Sequence, residues 1–230
     1  MQFLKDIFYL FFPNLCINCS TNLLKTELFL CTSCKHSLPI INNNEVTQQM
    51  LQTIFYGRVP ISSIHSFLYY NKEGVTQKII HELKYKNQEN IGVFLGSWFA
   101  YELKKKNIFS NVDYIIPVPL HISKEKQRGY NQVTKFAKTL STDLEITYIP
   151  NKLLRTLKAK TQTLHQRFER FSKNNTKFQL NDLEIFKNKH VLLVDDVVTT
   201  GATLEACCNE LLKTAHISIS ICTIAYTEKG

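Results

Sequence analysis

The chain has 230 residues, 44% of them hydrophobic and 20% charged, with seven cysteines and a formal net charge of +9. That length suits one large α/β domain, alone or with a small appendage, and the apolar fraction is sufficient for a real core. The positive balance points to polyanionic partners, phosphates or nucleic acid, without choosing between them, because the lysines are scattered. No apolar run reaches the roughly eighteen residues of a membrane span.

In chain order, Phe3, Leu4, Ile7, Phe8, Leu10, Phe11 and Phe12 predict a short apolar helix at the N-terminus. Asp6 inside it and the lack of a small-residue cleavage site argue against a secretory leader. The helix is expected to pack on the next module or on a partner, in a cytoplasmic protein. Shallow attachment to the inner face of the membrane is the lesser reading. Next come Cys16 and Cys19, then Cys31 and Cys34, two C-x2-C pairs. Each pair is a turn that presents two thiolates to one ion, so the two together close a tetrahedral site. Four-thiolate zinc would be structural, with no open position for substrate. Two disulfides or an iron–sulfur site would use the same ligands, and His36 stands close enough in sequence to substitute. The module is too small to bury a core of its own, so a metal would hold it together.

Residues 42–55 are polar without clear periodicity and read as a linker. This divides the chain into an N-terminal helix and cysteine module at 1–41, the linker, and a second domain at 56–230. Within that domain, residues 64–70 read as a strand, and 74–85 and 91–106 as helices whose apolar faces include Ile79, Ile80, Leu83, Val93, Phe94 and Trp98. Residues 113–118 read as a strand that Pro117 and Pro119 end by removing backbone donors. A loop with Lys124, Lys126 and Arg128 leads to Gly129, Tyr130, Asn131 and Gln132, which are expected to open a helix running to Leu140. Residues 155–170 carry many donors and few apolar groups, as in a basic lid over a site. Residues 217–226 read as the last strand. Cys207, Cys208 and Cys222 are expected to be buried rather than reactive.

The richest stretch is 191–203. Val191, Leu192, Leu193 and Val194 form an unbroken apolar run, as in a strand buried on both faces of a parallel sheet. Asp195 and Asp196 follow, then Val197, Val198, Thr199, Thr200 and Gly201, with a helix expected from near Ala202. The free N–H groups and positive dipole of a helix N-terminus attract an anion. Thr199, Thr200 and Thr203 add hydroxyl donors, and Gly201 permits close approach of a ligand. A sugar phosphate fits: the turn would hold the phosphate, and the two carboxylates would accept hydrogen bonds from ribose hydroxyls.

These residues resemble the phosphoribosyl-pyrophosphate (PRPP) signature of type I phosphoribosyltransferases, an apolar strand, two acids, then T-T-G-x-T. With the Pro-Val-Pro strand end, the R-G-Y-N-Q run at 128–132 and the four cysteines, nearly the whole chain is similar to the competence protein F (ComF) family. That resemblance implies a Rossmann-type parallel sheet with helices on both faces, preceded by a zinc ribbon, and a role in DNA uptake or nucleotide metabolism. It implies that Asp195 and Asp196 meet ribose hydroxyls directly or through Mg²⁺, that residues 197–203 hold the 5′-phosphate, and that Pro119 begins the pyrophosphate loop. Lys84 and Arg128 match basic positions that meet the diphosphate. Lys84 reads equally well as surface charge, and Tyr130 as a stacking or a core aromatic. Two functions of different class follow. One is Mg²⁺-dependent phosphoribosyl transfer to an acceptor with no signature in the sequence. The other is a non-catalytic module that senses PRPP or a nucleotide and handles single-stranded DNA or proteins of the uptake machinery.

Overall fold

The computed structural model describes residues 13–86, 88–155 and 178–228. The N-terminal apolar helix and most of the basic lid, including Gln162, His165 and Arg170, lie outside the described residues. At the centre is a five-stranded parallel sheet in the order β1-β7-β6-β2-β3. Its strands are β1 (Ser63–Tyr69), β2 (Tyr114–Pro117), β3 (Thr147–Tyr148), β6 (His190–Val198) and β7 (Ser218–Tyr226). A separate antiparallel pair joins β4 (Leu153–Arg155) to β5 (Phe178–Leu180).

Because both faces of a parallel sheet must be covered, its strands are largely apolar, and two cores result. On one face, α3 (Val75–Tyr85), α4 (Asn90–Lys105) and α6 (Thr134–Leu144) bury Ile79, Leu83, Leu95, Phe99, Phe136 and Leu140 against Leu192, Val194 and Cys222. Helices α4 and α6 pack closely because Gly96 lies against Thr139, where a Cβ would stand only 2.9 Å from that residue's Cβ. The cysteine module, with its short helix α1 (Thr32–His36), joins this same core through Cys16, Leu30, Cys34 and Leu38. On the other face, α2 (Glu45–Gln52), α7 (Ala202–Leu211) and the β4–β5 pair bury Leu51, Phe55, Leu204, Cys207, Leu153 and Phe178 against Val191 and Leu193. Cys207, Cys208 and Cys222 are buried, as expected.

Three local expectations are corrected. Residues 42–55 are not a polar linker but contain α2, started by a capping box in which Asn44 accepts from the Thr47 N–H at 3.0 Å. Leu51 is its one fully buried residue, with Phe55 following just past its end, and Val46 near its start is exposed, so the segment reads as polar. The basic loop before Gly129 is the helix α5 (Ile122–Arg128), which Gly129 ends in the left-handed conformation, φ 78°. Residues 129–132 therefore join two helices instead of opening one. Finally, β6 runs through both acids to Val198. It lies between β2 and β7, and its pairing continues past the apolar run, with Asp195 opposite Thr223 and Val197 opposite Ala225.

At the amino ends of the strands, His65 is buried, its Nδ1 3.3 Å from the Asn43 side-chain oxygen and its ring edge-on to Phe109. Burial, then the nearby Lys106 ammonium, pushes its pKa down from 6.5 to about 4. The folded protein thus holds His65 neutral while the unfolded chain takes up a proton below pH 6.5. Stability should be fullest above that pH and fall by roughly 3 kcal/mol on acidification to about pH 4. Urea midpoints measured across that range should drop, and His65→Gln should flatten the drop. An equal slope in the variant would assign the loss to other groups.

Candidate functional site

The sheet order reverses between β2 and β6. From β2 the chain passes through α6 to β3 on one side; from β6 it passes through α7 on the opposite face to β7 on the other side. The segments leaving β2 and β6 therefore diverge and leave a crevice at the carboxyl ends of the strands, where open α/β sheets take their ligands. Half-buried Pro119 follows β2 there, while Val118 remains tied to β6 by its N–H to the Val194 carbonyl at 2.8 Å.

Asp195 and Asp196 lie buried near the carboxyl end of β6, 9% and 7% exposed. Their geometry is partly self-supplied: the Asp196 N–H donates to Asp195 Oδ1 at 2.8 Å and the Val197 N–H to Asp196 Oδ1 at 2.7 Å. The remaining Asp196 oxygen, Oδ2, meets the Lys84 ammonium at 2.7 Å and the Gln132 amide N–H at 2.9 Å. Lys84 comes from the last turn of α3, so its surface-charge reading is set aside: it faces the acid. Among the described residues Asp195 makes no ion pair of its own and feels Lys84 only at longer range. Burial, then the neighbouring Asp196 charge, pushes its pKa well above the ordinary carboxylate value.

Gln132 is the residue that the sequence reading passed over. Its amide donates to Asp196 while its carbonyl accepts from Arg128 Nη1 at 2.8 Å. Arg128 also reaches the Tyr85 hydroxyl at 3.3 Å and lies over that ring, 5.0 Å from its centroid. Lys84, Asp196, Gln132 and Arg128 thus form one continuous chain of charge-assisted contacts. The junction carrying it is pinned by Tyr130, whose hydroxyl donates to the Leu83 carbonyl, and by Asn131, whose amide donates to the Val118 carbonyl at 3.0 Å. Tyr130 is therefore a strut between α3 and this junction. The only sequence signal for Gln132 was its place in the R-G-Y-N-Q run.

Beyond the acids, Thr199 and Thr200 are exposed, Gly201 is left-handed with φ 73°, and α7 begins at Ala202, with Ala202 and Thr203 exposed. The first N–H groups of α7 have no partners within the helix and face the same end of the sheet as the acids. Of the lid residues, Arg155 is described. It lies on β4, its guanidinium 5.4 Å from the Phe178 ring centroid.

The four cysteines also come together. The Sγ atoms of Cys16, Cys19, Cys31 and Cys34 all lie within 4.8 Å of one another, and His36 is exposed and outside the group. Four thiolates around one zinc would stand ~3.8 Å apart, and Cys19 and Cys31 are at 3.6 Å. Hydrogen bonds from the protein support the sulfurs: Asn18 donates to Cys34 at 3.2 Å, and Lys78 holds Asn18 through its carbonyl at 2.7 Å. The Thr21 hydroxyl and backbone lower the Cys19 pKa to about 6. Soft ligands in this number can hold a metal ion and leave it no open position.

The phosphoribosyl transferase domain family matches residues 100–230, and the chain belongs to that family. Competence protein F of Haemophilus influenzae is 32% identical over 59% of this chain and 59% of its own length. DNA utilization protein YhgH of Escherichia coli K12 is 29% identical over 65% of this chain and 66% of its own length, so the match spans somewhat under two thirds of these relatives. The chain is a phosphoribosyltransferase-like protein of the ComF family. Among solved structures, adenine phosphoribosyltransferase from Saccharomyces cerevisiae matches with 18% identity and a TM-score of 0.40, over 61% of this chain and 70% of that one. Among the described residues, no helix is long and apolar enough to cross a membrane.

Proposed function

We propose that the chain binds PRPP with Mg²⁺ at the carboxyl ends of β2 and β6 and transfers its phosphoribosyl group to a nucleophile. The observation that carries this reading is the placing of two buried, adjacent carboxylates beside Lys84 and Gln132, at the mouth of a threonine turn that opens a helix. In this reading Asp195 and Asp196 accept from the ribose hydroxyls or hold the cation. Residues 197–203 take the 5′-phosphate on backbone N–H groups and hydroxyls. Arg128 and Lys84 face the diphosphate, with Pro119 at the start of the loop beneath it. Mg²⁺ would supply charge neutralisation for the departing diphosphate. During transfer the C1–O bond breaks, its electron pair leaves with pyrophosphate, and the acceptor bonds to C1. In this reading the buried acids would face the sugar as positive charge develops on it.

The cysteine cluster is read as a structural zinc site, which suits the reduced thiols of a cytoplasmic setting. The printed names of the relatives, competence protein and DNA utilization protein, support a link to DNA uptake or use. They also favour a second reading, in which PRPP or a nucleotide is sensed without turnover while a basic surface meets single-stranded DNA or an uptake protein. One calorimetric titration with PRPP and Mg²⁺, followed by a pyrophosphate assay over a panel of nucleobases and amines, separates these. Binding with release supports transfer, and binding without release across the panel supports sensing. If PRPP does not bind, the transfer reading fails, and sensing stands only if a nucleotide binds in its place.

A further inference from the structure

The threonine turn is held from behind by a part of the chain far from it in sequence. After α2, Arg58 sends Nη1 to the Thr200 carbonyl at 2.6 Å and to the Ile54 carbonyl at 3.0 Å. Its Nη2 pairs with Glu205, in the first turn of α7. Gly201 is pressed onto the same segment, where a Cβ would lie 2.7 Å from Ile54 and 3.0 Å from Phe55.

Two physical consequences follow. In a trans peptide the C=O and the next N–H point in opposite directions. Fixing the Thr200 carbonyl toward Arg58 therefore fixes the Gly201 N–H to point away from it. Glu205, meanwhile, suits the helix dipole but repels any anion arriving at that N-terminus. The guanidinium cancels that charge and leaves the dipole intact.

We propose that Arg58 is a positioning residue for the 5′-phosphate end of the ligand: it orients the turn and screens Glu205 without touching the phosphate. This rests on the PRPP reading of the site. The test is calorimetry with Mg²⁺ and three probes, PRPP, ribose 5-phosphate and inorganic pyrophosphate, on the full chain and its variants. Arg58→Ala should weaken PRPP and ribose 5-phosphate roughly 10- to 50-fold, as expected for losing oriented charged hydrogen bonds. Pyrophosphate, which does not use the turn, should stay within about twofold, a split that a general loss of structure would not give. Arg58→Ala/Glu205→Gln should regain several-fold of the lost affinity, and Arg58→Lys should fall between wild type and Arg58→Ala.

Equal weakening of all three probes, or none, overturns the role of Arg58 while leaving the PRPP reading in place. A double variant no tighter than Arg58→Ala overturns the screening of Glu205. Wild type that binds neither PRPP nor ribose 5-phosphate overturns the PRPP reading itself, and this inference with it.

Discussion

Replacing Asp195 and Asp196 together by Asn is expected to weaken Mg²⁺-dependent PRPP binding by roughly 10²- to 10⁴-fold, since each hydrogen bond to a charged group is worth about 1.5–3 kcal/mol. The fold should survive. Asp195 is buried against a like charge, which already favours its neutral form, so an uncharged isostere relieves repulsion there. Asp196→Asn costs more locally, because the Lys84 ammonium loses its counter-charge. Gln132→Leu should give a smaller loss, roughly 5- to 30-fold, by removing one donor to Asp196 and the acceptor of Arg128. The raised Asp195 pKa adds a sign. A cation-bearing ligand must displace its proton, so affinity should rise with pH, and binding heats should differ between buffers of different ionisation enthalpy. Calorimetry measures all of these; a double variant that binds PRPP like wild type would remove the ligand from this motif.

Metal removal is expected to have the largest effect on stability. The cysteine module contributes Cys16, Leu30, Cys34 and Leu38 to the main core, but its backbone is held mainly by short turn bonds, such as the Ser20 N–H to the Cys16 carbonyl and the Lys35 N–H to the Cys31 carbonyl, with a β-bridge between Leu15 and Asn22. Without an ion to cross-link the sulfurs, the two C-x2-C turns lose the link that joins them, and the face of α4 they cover becomes easier to expose. A strong chelator should lower the melting temperature by on the order of 10 °C, since about 3–5 kcal/mol corresponds to that shift at this size, with each kcal/mol moving it ~2–4 °C. Trp98, the chain's only tryptophan, reports the event directly. It packs against Phe94 and Phe67, with the Lys35 ammonium of the module 4.9 Å from its ring centroid. Its emission should shift to the red as the module detaches, and added Zn²⁺ should reverse the shift. Melting and fluorescence indifferent to chelator but sensitive to reductant would replace the metal with disulfides.

The sequence by itself determined whatever is written in short-range chemistry. A C-x2-C pair places its two sulfurs on one turn, so the four-cysteine cluster was readable from spacing. An unbroken apolar run followed by acids, threonines and glycine places a buried strand, a turn and a helix start within thirteen residues. Strand and helix positions of the second domain were likewise close, because period and punctuation are local. The tertiary structure decided what depends on partners distant in the chain. Asp196 and Gln132 meet across 64 positions, and Arg58 reaches Thr200 across 142. A hydrogen-bonding side chain carries no periodic mark of its partner, so Lys84 read equally well as surface charge, Gln132 as part of a helix start, and Arg58 drew no notice. Residues 42–55 looked like a linker for the same reason: α2 buries little of its own length, and what holds it is the sheet face and the turn it supports. Even the end of β6 was a tertiary decision. Two charged side chains suggest the end of a strand, but a central strand goes on as long as its neighbours offer it hydrogen bonds, and β7 offers them through Tyr226.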